Sequence, residues 1–431
     1  MNYPQNHNLE HLARQLIEFA NLKSEYEAKG IEIVLSEAEA GLKKWIEKVN
    51  ALPNCPDLAK KEPDALNDIK SLRPEGIRRI WNSLDASYAE KLEGALLARS
   101  AGCTLGAIVE GWSVESMEDW AKYLNFSFPP TDYWPKSIHP NKLRYGMSLC
   151  EDYTSEKMNG IPVDDDMTYT ILGMLIAEDY GVDFTIEDVG KAWVKYLPCA
   201  CTAEEIALQN LKKGIPAVQA ADIDNPYCQW IGADIRSDPW AYIAPGYPEK
   251  AAELAWRDAY LSHRRNGIYG AMYFAAAQSA AFAVDNAVDA LKIALSEIPS
   301  DCILYHDIVW ALNESKGIKN YKDARAAVDA RFKGMHFVHT NNNAALTVFG
   351  LIIGENDVTK TLSEIVAMGL DNDCTAATAG SIVGAIAGKK GIPEHWYKHF
   401  NNKLYTYMID QKEFAIDHIV QRFTALAEKI M

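Results

Sequence analysis

Two aspartates one residue apart follow a glycine in Gly369-Leu370-Asp371-Asn372-Asp373-Cys374-Thr375, which opens directly into the Ala/Gly-rich run Ala376 to Gly388. A loop of this kind aims its carboxylates at one point. Far upstream, Pro162-Val163-Asp164-Asp165-Asp166-Met167 sets three consecutive aspartates ahead of an apolar helical pattern, Met167, Ile171, Met174 and Leu175. Read one at a time, each acidic group caps its helix and complements the positive end of the helix dipole. Read together, unpaired carboxylates a few Å apart repel by several kcal/mol at a protein-like dielectric, and raised pKa values are a poor remedy for five of them. A divalent cation removes the repulsion. An all-oxygen donor set favours Mg²⁺, Mn²⁺ or Ca²⁺ over Zn²⁺, which is better served by His or Cys.

The rest of the chain reads as helices. At 431 residues with 48% hydrophobic content it can bury a large core, and strand-like alternation is scarce throughout. Leu9, Leu12, Leu16, Ile17, Ile31, Ile33, Val34, Leu42, Trp45 and Ile46 recur at three-to-four spacing and predict helix from residue 8 to about 50, before Pro53, Pro56 and Pro63 punctuate a loop. Residues 1–87 carry no constellation tied to chemistry and are expected to form an N-terminal helical extension to a core spanning 88–431.

From Tyr88 the run Ala101-Gly102-Cys103-Thr104-Leu105-Gly106-Ala107-Ile108-Val109 is small and apolar, and it ends on one acid, Glu110. Tyr247-Pro248-Glu249 predicts a helix start, Gly267 a stop, and Ala271 to Val284 a buried helix. Further helices are expected at Ala287 to Glu297, Tyr321 to Phe332 and Ala344 to Ile353, the last preceded by the polar stretch His339 to Asn343. Gly380, Gly384 and Gly388 line one face of the helix after Asp371, which predicts close helix packing, since each interior Gly costs about 1 kcal/mol relative to Ala.

Composition excludes several classes. A net charge of −16 without a Lys/Arg cluster argues against nucleic acid or an anionic membrane as partner. The polar start Met1 to His7 lacks the basic and apolar regions of a signal peptide, so a cytoplasmic location is expected. Eight cysteines (55, 103, 150, 199, 201, 228, 302, 374) form no CxxC pair, and free thiols are expected. The longest apolar runs are too short or too rich in small residues to span a bilayer.

Taken in order, Gly106-Ala107-Ile108-Val109-Glu110, the triplet Asp164-Asp165-Asp166 with Tyr169-Thr170, Ser262-His263-Arg264-Arg265-Asn266-Gly267-Ile268-Tyr269-Gly270 and Gly369 to Ala377 resemble the ADP-ribosylglycohydrolase family over about residues 90 to 395. That resemblance implies an all-α, single compact orthogonal helical bundle with a binuclear Mg²⁺ centre, Mn²⁺ being the alternative ion, that grips the terminal ribose of an ADP-ribosyl group. It implies Asp164, Asp165 and Asp166 on one metal, Asp371 on the other, and Asp373 on both. It sets Glu110 near the second metal and the attacking water, so that Glu110, Asp165 and Asp373 are the catalytic candidates.

Three positions depart from the family pattern: Asp164 stands where Thr or Ser is common, Asn372 where Thr is usual, and Cys374 where a ligand hydroxyl is expected. A neutral thiol is a poor Mg²⁺ ligand, so Cys374 is expected to withdraw and leave water or Thr375 in its place. Substrate contacts are expected from His263, on a phosphate or the acids, from Asn342 and Asn343, on ribose or adenine, and from a small-residue turn at Ala101 to Gly106 that admits a diphosphate to backbone N–H groups.

The implied activity is hydrolysis of the glycosidic bond between ADP-ribose and a protein side chain or small acceptor. The alternatives are an ADP-ribose binder or structural member without turnover, like the lens crystallins of this fold, and a hydrolase for a nucleoside-like or O-acyl ADP-ribose compound.

Overall fold

The computed structural model describes residues 3–4, 7–136 and 151–431. Part of the Met1 to His7 start and residues 137–150, Cys150 among them, lie outside the described residues. The chain divides into two compact units, Met1–Lys60 and Lys61–Met431. The smaller holds α1 (His7–Glu25) and α2 (Ile31–Asn50). The apolar periodicity reads across both without a break, but Gly30 enters α2 at φ 86°, a left-handed turn that glycine takes without steric cost. None of α2 is buried within this hairpin.

Then follow α3 (Pro56–Lys61), α4 (Leu66–Leu72), α5 (Tyr88–Ala107), α6 (Val114–Leu124), α7 (Asp165–Tyr180), α8 (Ile186–Tyr196), α9 (Thr202–Lys212), α10 (Asp238–Ile243) and α11 (Pro248–Ala259). The second half adds α12 (Asn266–Ala281), α13 (Ala287–Ala294), α14 (Ile303–Glu314), α15 (Tyr321–Arg331), α16 (Thr340–Gly354), α17 (Val358–Met368), α18 (Asn372–Ala387) and α19 (Ile416–Ala427). Among the described residues the strands are β1 (Lys403–Tyr405) and β2 (Glu413–Ala415), an antiparallel pair with Leu404 opposite Phe414. The fold is all-α.

Packing of α5 on α18 positions the site. A Cβ on Gly94 would stand 2.5 Å from the carbonyl oxygen of Gly384, one on Gly102 2.2 Å from that of Ala376, and one on Gly380 2.4 Å from that of Ala98. Contacts that rise along one helix descend along the other, so the pair is antiparallel and the backbones touch. Interior glycines weaken an isolated helix, and dispersion between two closely apposed backbones offsets that loss. Gly388 ends the row as the cap of α18, at φ 65°, where a Cβ on Gly94 would stand 2.5 Å from its carbonyl carbon. The consequence is that the last turn of α5 lies beside the first turn of α18.

Two local expectations are corrected. Ala101 to Gly106 is no turn but the body of α5, because its small side chains are what the α18 contact requires. Gly267 is no stop: α11 ends at Ala259, and Gly267 sits in the first turn of α12, where a Cβ would meet the carbonyl oxygen of Cys228 at 2.5 Å. Every residue of α12 is buried. The polar stretch Thr340 to Asn343 is the first turn of α16, capped by the His339 ring, whose Nδ1 accepts from the Asn341 backbone N–H.

Candidate metal centre

Both acidic loops are helix starts, and their local geometry explains why. Asp164 is the N-cap of α7, extended at φ −147° and ψ 153°, and its Oδ1 accepts the backbone N–H of Asp166 at 3.0 Å. Asp371 precedes α18 without any such bond from its side chain. Instead its own backbone N–H is held by Asn343 Oδ1 at 3.3 Å. Ahead of it Gly369 and Leu370 both have positive φ, 70° and 63°. Leu370 is strained there, and the turn is kept by bonds from three directions. Gly111 N–H donates to Leu370 O at 2.9 Å, Arg325 Nη1 to Met368 O at 2.9 Å, and Asn372 Nδ2 to Val366 O at 3.0 Å.

The Gly111 bond matters most, since it ties the turn carrying Glu110 to the turn carrying Asp371. Carboxylate oxygens of Glu110, Asp371 and Asp373 lie within 4.8 Å of one another. A second group joins Asp166, Asp373 and Cys374 within the same distance, and a third joins Cys103, Asp164 and Asp166. Asp373 and Asp166 are each shared, so the three groups form one continuous acidic patch fed by α5, α7 and α18. Asp371 Oδ1, Asp373 Oδ1 and Thr375 Oγ1 are buried and find no hydrogen-bond partner among the described residues. Capping accounts for Asp164 and leaves these atoms unexplained.

Electrostatics follow from this crowding. Glu110 reaches solvent along one edge, yet the charge of Asp373, then burial, then the charge of Asp165 push its carboxyl up to about 8. Burial, aided by Asp166, lifts Asp373 to about 7. Burial likewise lifts Asp166 to about 7, against the pull of Arg99. Asp164, Asp165 and Asp371 are raised as well, burial being the first cause for each. Asp165 is half-buried at the start of α7 and acts on Glu110 and Asp373 through its charge.

Cys374 does not withdraw. Its Sγ donates to Asp166 Oδ2 at 3.3 Å, because the first turn of α18 faces the first turn of α7 and the thiol is buried between them. Gly106 reaches the site only as packing, with its Cα against the backbone of Asp373 and its N–H inside α5. Asn343 is brought to the site, but its amide is spent internally: Nδ2 donates to Phe337 O at 2.7 Å and His339 O at 2.9 Å. Asn342 donates to His336 O at 2.9 Å and its Oδ1 accepts the Asn343 N–H. His263 is fully buried outside the acidic groups, with Nδ1 2.8 Å from Ser262 Oγ. Burial, then Arg236 and Arg264, hold its ring well below the usual histidine range and therefore neutral.

Two participants escaped the sequence reading. Arg99, fully buried in α5, bonds Thr170 Oγ1 at 2.9 Å, Ile235 O at 2.8 Å and Asp166 O at 3.0 Å, and pairs with Asp238 at 2.7 Å. Cys103 faces Asp164 and Asp166 from the same helix. The signal for Arg99 was present: a lone cation within Ala98-Arg99-Ser100-Ala101-Gly102 cannot stay buried without an anionic partner.

The family model described as ADP-ribosylglycohydrolase matches residues 84–429. No curated protein matches the chain. A solved structure titled "ADP-ribosylglycohydrolase-related protein complex" aligns with 17% identity over 80% of this chain and 99% of its own, at a TM-score of 0.48.

Proposed function

Because this chain belongs to the ADP-ribosylglycohydrolase family, we propose that it hydrolyses the glycosidic bond between ADP-ribose and a protein side chain or small acceptor, using a binuclear centre of divalent cations, Mg²⁺ or Mn²⁺. The observation that carries this reading is the meeting of Glu110, Asp371 and Asp373 within 4.8 Å, with buried oxygens of both aspartates unpartnered among the described residues. Such a donor set fits a hard cation. Asp164, Asp165, Asp166, Asp371, Asp373 and Thr375 would hold the ions. When bound, two divalent cations supply charge neutralisation and orientation for the ribose hydroxyls during departure through an oxocarbenium-like transition state.

The protein's own part is proton handling and positioning. Glu110 is more open to solvent than the half-buried Asp164 and Asp165 and the buried Asp166, Asp371 and Asp373, so it is placed to orient water and take its proton as the oxygen attacks C1 of the ribose. Its raised pKa comes first from Asp373. Neutralising Asp373 frees Glu110 to ionise and act as base. Asn343 and Gly111 hold the Asp371 turn to the Glu110 turn, which fixes the distance between base and centre.

The test is calorimetric titration of ADP-ribose with Mg²⁺ present and after chelation, beside turnover of an ADP-ribosylated protein. Binding is expected only with Mg²⁺, and Asp371→Asn or Asp165→Asn is expected to abolish turnover with helical content unchanged. Full activity in either variant would sink the mechanism. A second reading, a binder without turnover, is favoured by the thiol of Cys374 on Asp166 where the family pattern has a hydroxyl. It predicts Mg²⁺-dependent ADP-ribose binding with no product.

A further inference from the structure

The three ligand groups of this patch are not chemically equal. Glu110, Asp371 and Asp373 offer oxygen alone, whereas the adjoining group of Asp166 and Asp373 includes Cys374 Sγ within the same 4.8 Å. The sulfur is aimed inward: it lies 3.3 Å from Asp166 Oδ2 and is buried between α7 and α18. Asp373 Oδ1, on the carboxylate common to both groups, is buried and has no partner among the described residues, so the set is open to an ion on this side as well. Thiolate donors select Zn²⁺ and related ions, while Mg²⁺ keeps to oxygen and dehydrates reluctantly.

Resting on the binuclear reading above, we propose that the centre takes two different metals. Mg²⁺ or Mn²⁺ occupies the half made by Glu110, Asp371 and Asp373. A sulfur-accepting divalent ion of the Zn²⁺ or Co²⁺ class occupies the half made by Asp166, Asp373 and Cys374, with Asp373 common to both. As the metal–sulfur bond forms, the S–H bond of Cys374 breaks and its proton leaves to solvent, with no change of oxidation state. Cys103, in α5, is grouped with Asp164 and Asp166 and not with Asp373 and Cys374, which makes it the control residue.

The experiment adds CoCl₂ to the full chain already saturated with Mg²⁺ and records the near-ultraviolet thiolate-to-cobalt charge-transfer band. The band is expected to saturate at one Co²⁺ per chain, to vanish on addition of Zn²⁺ but not of further Mg²⁺, and to survive in Cys103→Ser. In Cys374→Ser it is expected to disappear, with Co²⁺ affinity lower by at least about tenfold and Mg²⁺ affinity nearly unchanged. Cobalt bound without the band, or a band that survives Cys374→Ser, overturns the mixed-metal assignment and leaves the binuclear reading standing. Failure of every divalent cation to bind overturns both.

Discussion

Gly106 and Asp373 meet backbone to backbone: a Cβ on the glycine would stand 2.4 Å from the Cα of the aspartate. Nothing flexible is available there to move aside. Gly106→Val is therefore expected to push the first turn of α18 off α5, destabilising the larger unit by about 1–3 kcal/mol and weakening divalent-cation binding together with it. Urea unfolding and calorimetry on the same preparation check this. Unchanged metal affinity in a destabilised variant would show that the helix contact does not set the site.

Arg99 is, among the described residues, the buried cation bonded to the start of α7, and it also pairs with buried Asp238. Arg99→Met leaves Asp238 as an uncompensated buried charge, a loss expected to cost about 3–5 kcal/mol in chemical denaturation. Adding Asp238→Asn to that variant is expected to recover part of the loss. Strict additivity of the two changes would argue that the pair is not coupled.

The acids titrate in a direction that can be read from stability. Asp166 and Asp373 are raised from 3.8 to about 7 and Glu110 from 4.5 to about 8, so the folded state holds their protons more tightly than the unfolded chain. Their contribution is fully present below the ordinary carboxylate values and is lost as pH rises through about 7 to 8. Metal-free protein is expected to melt at a lower temperature at pH 9 than at pH 6, and saturating Mg²⁺ is expected to flatten that slope. A melting temperature that climbs across the interval without metal would contradict the crowding described above.

Residues 61–87 are bound into the larger unit by charge. Arg73 and Arg78 both pair with Glu297, whose side chain is fully buried, and Glu62 bonds Arg265, Asn266 and the Ile303 N–H. Removing residues 1–60 is expected to leave the melting of the larger unit unchanged. Extending the deletion to residue 87 strands Glu297 without a cation and is expected to cost about 3–5 kcal/mol or to prevent folding. Calorimetric melting of the two truncations separates these outcomes.

The helices were legible because their signals are local. Asp164 caps α7 through a bond to a residue two positions on, Pro248 opens α11, and the apolar spacing of Tyr321 to Arg331 repeats within a few residues. The acidic loops stood out because five aspartates at two helix starts have no inexpensive local explanation. Where the reading failed, the deciding contact came from elsewhere in the chain. Ala101 to Gly106 reads as a turn until α18 is laid against it, and Gly267 reads as a stop until Cys228 O is found against its Cα.

By itself, then, the sequence determined the all-α character, the helix starts and the residue types that crowd one centre, since periodicity, capping and charge count depend on near neighbours. Tertiary structure alone decided which atoms meet. It turned Cys374 onto Asp166, gave Asn343 to the Asp371 backbone, closed Glu110 on Asp371 through Gly111, and sent Arg99 to Asp238. Those pairings join positions far apart in the chain, and their geometry is set by how closely two helix backbones can approach, a property of the packed pair that neither segment carries alone.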